Sequence, residues 1–168
     1  DGKRHVVGLF NWSPEKKQTA KVKVEELGFK GSTNRYVGLD YWSGNLVAIE
    51  NGTISAELPP CACSIVSVAK VSECPQLLGS SRHITQCFVD ISEEKWKNDS
   101  LSGSCKLVGG DTTELRIATT STRGTWKGLS AAVSKKDQEA GVTVSIKEEV
   151  GLLRVKLSAP TNSEVQWK

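Results

Sequence analysis

The sequence lacks the features that mark several common classes of protein. It contains no methionine, and because translation begins at Met we expect an excised or processed piece of a longer protein. Its apolar runs, such as Leu9-Phe10 and Ile65-Val66, are a few residues long, far short of the ~20 that a membrane-spanning helix needs. Only two histidines occur, which leaves few ligands for a zinc site of the usual pattern. We therefore expect no membrane partner, no metal and no cofactor.

An excess of charge of one sign is also missing. The net charge is +3 with a pI near 8.6, and basic and acidic side chains are spread along the whole chain. Proteins that bind nucleic acid usually collect Lys and Arg into a patch or stripe that neutralises phosphates. The sequence has no such stripe, so nucleic acid is not an expected partner.

The chain is instead rich in Val, Ser and Thr, with 17, 19 and 12 copies, a composition that favours strands and turns over helices. Alternation of apolar and polar residues recurs, as in Ala-Lys-Val-Lys-Val-Glu at 20–25, and is typical of half-buried strands. Asn51-Gly52 predicts a two-residue type I′ hairpin turn. The sole helical competitor, residues 130–140, is predicted to be at most a short surface turn or loop. Further strand candidates are residues 4–12, 35–42, 45–49, 53–58, 63–71, 83–91, 101–108, 113–119, 142–146 and 151–158.

These short strands and frequent turns predict an all-β fold of two small antiparallel β-sandwich units. The boundary is expected near Cys74-Pro75, because Pro75 cannot donate a ladder hydrogen bond and ends the preceding strand pattern. We assign residues 1–72 to a first β-sandwich and residues 73–168 to a second, immunoglobulin-like or accessory one. The Cys, Trp and Cys spacing of true immunoglobulin domains is missing, which argues against an immunoglobulin-like interaction domain.

No catalytic group emerges from the sequence. His83 lies close to Ser80, Ser81 and Asp90 along one segment, whereas Ser, His and Asp triads are usually assembled from separate loops. Gly109-Gly110-Asp111 lacks the glycine spacing and the following helix of a phosphate site. The sequence-adjacent carboxylates point to opposite faces of a strand and are expected to be solvated: residues 25–26, 93–94 and 148–149.

Five cysteines leave an odd thiol whatever the pairing, and one interpretation is that all of them are small buried hydrophobic residues. If the chain is secreted, the first candidate bridge by strand adjacency is Cys87–Cys105, since opposed residues of neighbouring antiparallel strands lie within disulfide reach. The next candidate joins Cys61 or Cys63 to Cys74.

Three Asn-x-Ser/Thr sequons occur, at Asn11, Asn51 and Asn98. Such sequons are acceptors for N-glycans in secretory proteins. They favour a secreted, extracellular or vacuolar location, which would also permit disulfides.

Aromatic residues are the main candidates for ligand contact. Exposed Trp and Tyr rings offer flat apolar faces on which sugar rings stack, and the candidates are Trp12, Tyr41, Trp42 and Trp126. Tyr41 and Trp42 are neighbours near the end of a predicted strand, so their rings are expected on opposite faces. The alternative is that one ring belongs to the core and the other covers a boundary between the units.

Several segments carry a resemblance to a known family. Residues 7–13 (Val-Gly-Leu-Phe-Asn-Trp-Ser), 27–29 (Leu-Gly-Phe), Tyr36 with 40–44 (Asp-Tyr-Trp-Ser-Gly) and 58–63 (Leu-Pro-Pro-Cys-Ala-Cys) resemble the C-terminal β-sandwich of retaining glycoside hydrolases of the α-galactosidase (melibiase) type. This resemblance spans residues 4–71. Residues 74–86 resemble part of a further accessory β domain of long members, across about 75–117.

The resemblance implies an accessory role. In this family the catalytic carboxylates lie on a (β/α)8 barrel that precedes the sandwich, so no catalytic residue carries over to this chain. The implied partner is the N-terminal catalytic barrel of the same parent chain, which would be the glycosidase. The alternative is a free carbohydrate-binding module that binds an oligo- or polysaccharide through its Trp and Tyr rings. The extra cysteines depart from the family pattern.

Overall fold

The computed structural model describes residues 4–29 and 35–168. The prediction of an all-β fold is confirmed, because antiparallel sheets dominate and the helical segments are short. The chain divides into two compact units, unit 1 (Asp1–Val71) and unit 2 (Ser72–Lys168).

Unit 1 consists of two antiparallel sheets around one core. One sheet has the strand order β1-β7-β3-β4 and the other the order β2-β6-β5, and a short 3-10 helix, Val24–Leu27, follows β2. The strands are β1 (Arg4–Phe10), β2 (Gln18–Lys23), β3 (Tyr36–Asp40), β4 (Leu46–Val47), β5 (Ile49–Glu50), β6 (Thr53–Leu58) and β7 (Cys63–Lys70).

The core of unit 1 follows from the alternation in its strands. On β1, Val7 and Leu9 are buried whereas Val6, Gly8 and Phe10 are exposed, as expected when one face packs against the second sheet. The hairpin between β5 and β6 turns at Asn51-Gly52, both with positive φ (49° and 68°). The predicted type I′ turn is therefore confirmed. The buried cluster comprises Val7, Leu9, Val24, Phe29, Ile54, Leu58, Val66 and Val68.

Unit 2 also has two main antiparallel sheets, with strand orders β14-β15-β11-β8 and β16-β10-β9, and a small ribbon of β12 and β13. A helix, α1 (Lys135–Glu139), lies between β13 and β14 and is capped by Ser134, whose Oγ accepts from the Asp137 amide. The strands are β8 (Gln76–Ser80), β9 (Ile91–Lys97), β10 (Ser100–Leu107), β11 (Thr112–Ala118), β12 (Thr120–Ser121), β13 (Gly124–Thr125), β14 (Thr143–Glu149), β15 (Leu152–Ser158) and β16 (Ser163–Trp167).

The predicted strand at 83–91 is wrong. Residues 81–90 form turns that connect β8 to β9, because Gln86 and Cys87 have positive φ (48° and 77°) and interrupt an extended backbone. The loop is closed at its base, where the Ser80 hydroxyl donates to Asp90 Oδ2 at 2.6 Å in the protein interior. The segment is therefore a loop closed by a buried side-chain hydrogen bond and not a strand of a sheet.

Candidate functional site

Two pairs of aromatic rings lie at the same end of the β1-β7-β3 sheet. Strands β1 and β3 both pair antiparallel with β7, so they run in the same direction and finish at the same end. Their carboxyl ends carry Phe10 with Trp12, and Tyr41 with Trp42. We call these four residues the aromatic edge.

The first pair of the aromatic edge forms a flat stack. The Phe10 and Trp12 ring centroids are 5.3 Å apart with an interplanar angle of 9°, and the two residues are 48% and 82% exposed. The Phe10 ring lies over Gly8, where an added Cβ would come within 2.6 Å of Phe10 Cε2. Gly8 thus lets the Phe10 ring lie close against the strand.

The second pair departs from the prediction for Tyr41 and Trp42. Strand β3 ends at Asp40, and a turn follows in which Asp40 Oδ2 accepts from the Ser43 amide at 2.8 Å. The two rings meet edge to face with centroids 5.1 Å apart, rather than lying on opposite faces, because strand alternation does not continue through a turn. Trp42 is 59% exposed and Tyr41 is half-buried.

Asn11 anchors the aromatic edge to the rest of unit 1. Its side chain is buried, and Nδ2 donates to the carbonyl oxygens of Lys16 (2.8 Å), Leu58 (3.0 Å) and Pro59 (2.8 Å). Its Oδ1 accepts from the Ser13 amide at 2.9 Å. One amide side chain therefore ties the 7–13 segment to the 58–63 segment, the two that carry much of the family resemblance.

The three sequons differ in whether the asparagine side chain is exposed or buried. Asn51 and Asn98 are exposed in two-residue hairpin turns, so each side chain can carry a glycan. Asn11 is 2% exposed, and the nitrogen that would bear the glycan already donates to backbone carbonyls. The expectation of a glycan on Asn11 is therefore corrected for the folded protein.

Trp126 belongs to a different site, in unit 2. Its ring meets Trp96 edge to face at 5.3 Å, and its indole Nε1 donates to Ser121 Oγ at 3.0 Å. Both rings line a cavity of about 400 Å³, together with Trp167. Trp96 and Trp167 were not among the sequence candidates; what places them beside Trp126 is the pairing of strands distant in sequence.

The described residues assemble neither a metal site nor the Ser, His and Asp triad considered from the sequence. The Ser80 hydroxyl donates to the carboxylate of Asp90 rather than to an imidazole, and His83 lies half-buried in the loop between them. Within 4–29 and 35–168, no group of three His, Cys, Asp or Glu side chains is placed to hold a metal ion. In the same ranges, no helix is long and apolar enough to cross a membrane.

A charged network occupies one face of the β14-β15-β11 sheet. Arg116 and Arg154 stand directly opposite each other, and Glu114 Oε1 accepts from Arg116 Nε (3.1 Å) and Arg154 Nη1 (2.8 Å). Arg154 Nε also donates to Glu149 Oε2 at 2.9 Å. Burial alone would raise the pKa of Glu114, but the hydrogen bonds and charges of the two arginines outweigh it and lower that pKa. The network offsets the repulsion of two opposed cations and is structural.

None of the five cysteines, all of which lie within the described ranges, forms a disulfide in this structure. The strand adjacency that suggested Cys87–Cys105 is wrong, because Cys87 lies in the 81–90 turns and Cys105 is instead opposite Ile91 and Val165. Burial, with a smaller contribution from the charge of Asp90, raises the pKa of the Cys105 thiol to about 12. The candidates of the second pairing, Cys61, Cys63 and Cys74, are likewise unpaired in this structure.

Comparison of the chain with family models, curated proteins and solved structures finds no match in any of the three.

Proposed function

We propose that this chain is the non-catalytic, C-terminal β-rich region of a glycoside hydrolase of the α-galactosidase type, and that its aromatic edge packs against the catalytic barrel of the parent protein. The observation that carries the proposal is the position of the aromatic edge. The Phe-Asn-Trp and Asp-Tyr-Trp segments, on which the resemblance rests, are far apart in sequence yet end at the same end of one sheet.

The exposure of these rings supports a contact surface. Soluble proteins rarely leave large apolar patches in water without a partner. Trp12 and Trp42 are the most exposed rings of the aromatic edge, and burying an aromatic side chain removes roughly 150–250 Å² from water. At about 25 cal/mol per Å² and allowing for their partial exposure, each ring would contribute about 3 kcal/mol to such an interface.

Three carboxylates with fixed partners favour a supporting role over catalysis. Glu114 and Glu149 are held by arginines, and Asp90 is buried against Ser80. Glycoside hydrolysis needs two carboxyl groups facing each other across a cleft. We expect the isolated chain not to hydrolyse aryl α-galactosides, and turnover that followed this chain through purification and vanished on changing one of its carboxylates would contradict the proposal.

The test uses the parent protein. Trp12→Ser and Trp42→Ser should each lower the melting temperature of the catalytic part, because each removes an aromatic ring from the proposed interface. Phe88→Ser is the matched control, since Phe88 is a similarly exposed ring in unit 2 and should leave melting unchanged. A parent chain without a barrel, or equal melting temperatures for all variants, would refute the packing role.

One observation favours the second candidate, a carbohydrate-binding module. The Phe10 and Trp12 rings are nearly parallel and strongly exposed, and a sugar can stack on such a face. A titration of the isolated chain with galactosides or plant cell-wall polysaccharides separates the two functions. A saturable change in Trp fluorescence that is lost in Trp12→Ser would support the module, whereas a flat titration of folded protein supports the packing role.

A further inference from the structure

We propose that the chain forms a dimer in which β14 of one copy pairs antiparallel with β14 of a second copy. Strand β14 (Thr143–Glu149) is an outer strand of the β14-β15-β11-β8 sheet of unit 2. The pairing would join the two four-stranded sheets into one continuous sheet. This inference goes beyond the proposed packing role and does not depend on it.

The two main sheets of unit 2 have four outer strands, and three of them carry features that hinder the addition of another strand. Residues 132–134 cover the outer side of β16 through backbone hydrogen bonds of 2.8, 2.9 and 3.0 Å with Lys168 and Gln166. The pairing of β9 with β10 shifts register where Glu93 has a positive φ of 56°. The pairing of β8 with β11 shifts register after Arg116. Covering segments and bulges are common protections of sheet edges.

Strand β14 has neither a covering segment nor a bulge. It pairs one to one with β15, from Thr143 opposite Ser158 to Glu149 opposite Leu152, and it contains no proline. Five of its seven side chains are exposed. An outer strand has unpaired N–H and C=O groups along its free side, which are a template for another strand. The free side of β14 is therefore open to a partner strand.

The core-facing side of β14 is only partly covered. Val144 lies opposite Leu157 and Ile146 lies opposite Val155, so both share the face of the sheet that packs in the core of unit 2. Leu157 and Val155 are buried, whereas Ile146 is 38% exposed and Val144 is half-buried. The other main sheet has three strands against four, which leaves the outermost strand less covered. A second copy of β14 would bring apolar carbon beside both side chains.

The sequence of β14 complements itself in one antiparallel register. Opposed residues of an antiparallel pair point to the same face of the sheet, so the two-fold axis of the dimer passes through a pair of identical residues. With Ser145 at the axis, Val144 of each copy lies opposite Ile146 of the other, and Thr143 lies opposite Lys147. This register matches apolar side chains on the core-facing side and opposes no two charges.

The other registers that pair five or more residues of β14 are less favourable. With Ile146 at the axis, Val144 lies opposite Glu148. With Lys147 at the axis, the two lysines oppose each other, and like charges directly opposite destabilise a pair of strands. In the favoured register Glu148 and Glu149 lie beyond the paired residues. The side chains of β14 therefore favour a second copy of this chain as the partner.

Sedimentation velocity of the whole chain tests the dimer. The experiment uses reducing buffer, which excludes disulfide links through the exposed Cys61. We expect the mass to rise with concentration from monomer to dimer and no further. A pairing of five residues per copy falls short of the roughly 20–30 residues a side in a standard interface, so the dimer should dissociate on dilution.

Ser145→Glu should weaken the dimer about fivefold, because it opposes two carboxylates at the axis. Within one chain the new carboxylate faces Lys156, so the fold is kept. Ser55→Glu is the matched control, since Ser55 is also an exposed strand serine opposite a lysine, Lys21. Ser55 lies on β6, the central strand of its sheet, and its variant should dimerise as the wild type does.

Thr143→Glu tests the register. In the favoured register it places a carboxylate opposite Lys147 of the other copy, and we expect the dimer to become about fivefold tighter. In the register with Ile146 at the axis, the same carboxylate would lie opposite Glu149 and weaken the dimer.

Several results would overturn the proposal. A chain that stays monomeric at every concentration would do so, and would leave β14 to a strand of another protein. A dimer that Ser145→Glu leaves intact, or that Ser55→Glu weakens equally, would also do so. Loss of the dimer in Trp12→Ser would assign the interface to the aromatic edge instead. If Ser145→Glu does not fold, Thr143→Glu still decides, because a weaker or unchanged dimer would contradict the register.

Discussion

Replacing Asn11 by Ala should selectively destabilise unit 1. The substitution removes the Nδ2 group that donates to the carbonyls of Leu58 and Pro59 and the Oδ1 that accepts from the Ser13 amide. The Leu58 bond is buried and the others are partly buried. A buried polar group left without a partner costs about 1–3 kcal/mol. We therefore expect a loss of about 3 kcal/mol in the free energy of unfolding of unit 1.

Hydrogen exchange measured by mass spectrometry can resolve this loss by unit. Since 1.4 kcal/mol corresponds to a tenfold change in an equilibrium constant, amides of β7 should exchange on the order of 100-fold faster in Asn11→Ala. Amides of β15 in unit 2 serve as the internal control and should be unaffected. Asn51→Gly is the matched variant, because Asn51 is an exposed sequon residue whose positive φ glycine adopts freely.

Two results would refute this reasoning. Exchange in β7 that stays within about twofold of wild type would mean that the Asn11 hydrogen bonds contribute little net stability. Equal acceleration in β7 and β15 would mean that Asn11 does not act through unit 1 alone.

Three further outcomes are expected. Under native conditions at neutral pH, a thiol-alkylating reagent should modify exposed Cys61 rapidly and Cys105 only after unfolding, because Cys105 is buried and its pKa is raised to about 12. Intact-mass measurement follows the two rates of modification, and equal rates would contradict the prediction. Glu114→Gln should destabilise unit 2 by about 3 kcal/mol at neutral pH, since Arg116 and Arg154 then lose the carboxylate between them. The folded pKa of Glu114 is lowered, so its stabilisation of unit 2 is present above its unfolded pKa of about 4.3 and is lost as the pH falls through the folded value. Denaturation curves of the wild type should show this loss of stability at low pH. A Glu114→Gln variant with the same pH dependence would contradict the prediction. In a glycosylating host, glycans should be found on Asn51 or Asn98 and not on Asn11 of folded protein, as peptide mapping would show.

Local sequence patterns determined the secondary structure of much of the chain. Alternation in segments such as 53–58, 63–71 and 151–158 predicted strands because neighbouring side chains of an extended backbone point to opposite faces. Asn51-Gly52 predicted its hairpin because both residues accept positive φ. The all-β fold follows from these short-range rules, which need no knowledge of partners.

Where the short-range rules failed, a distant contact decided the outcome. Alternation suggested a strand at 83–91, yet the buried hydrogen bond from Ser80 to Asp90 and the positive φ values of Gln86 and Cys87 form a loop. Strand β9 was not predicted, because its charged residues obscure the strand pattern. It forms through its hydrogen bonds with β10 across the Asn98-Asp99 turn. The loop at 81–90 and strand β9 both depend on hydrogen bonds to other segments of the chain, which alternation within one segment does not reveal.

The candidate sites depend still more on tertiary structure. The sequence identified Trp12, Trp42 and Trp126 as ring residues of interest, but strand order alone brings Trp12 and Trp42 to one end of a sheet and places Trp126 beside Trp96 and Trp167. Side-chain direction is a local property of the backbone, whereas proximity depends on pairing between residues far apart in the chain. For that reason the sequence determined most of the strands, and the packing of the sheets determined the aromatic edge and the grouping of Trp126 with Trp96 and Trp167.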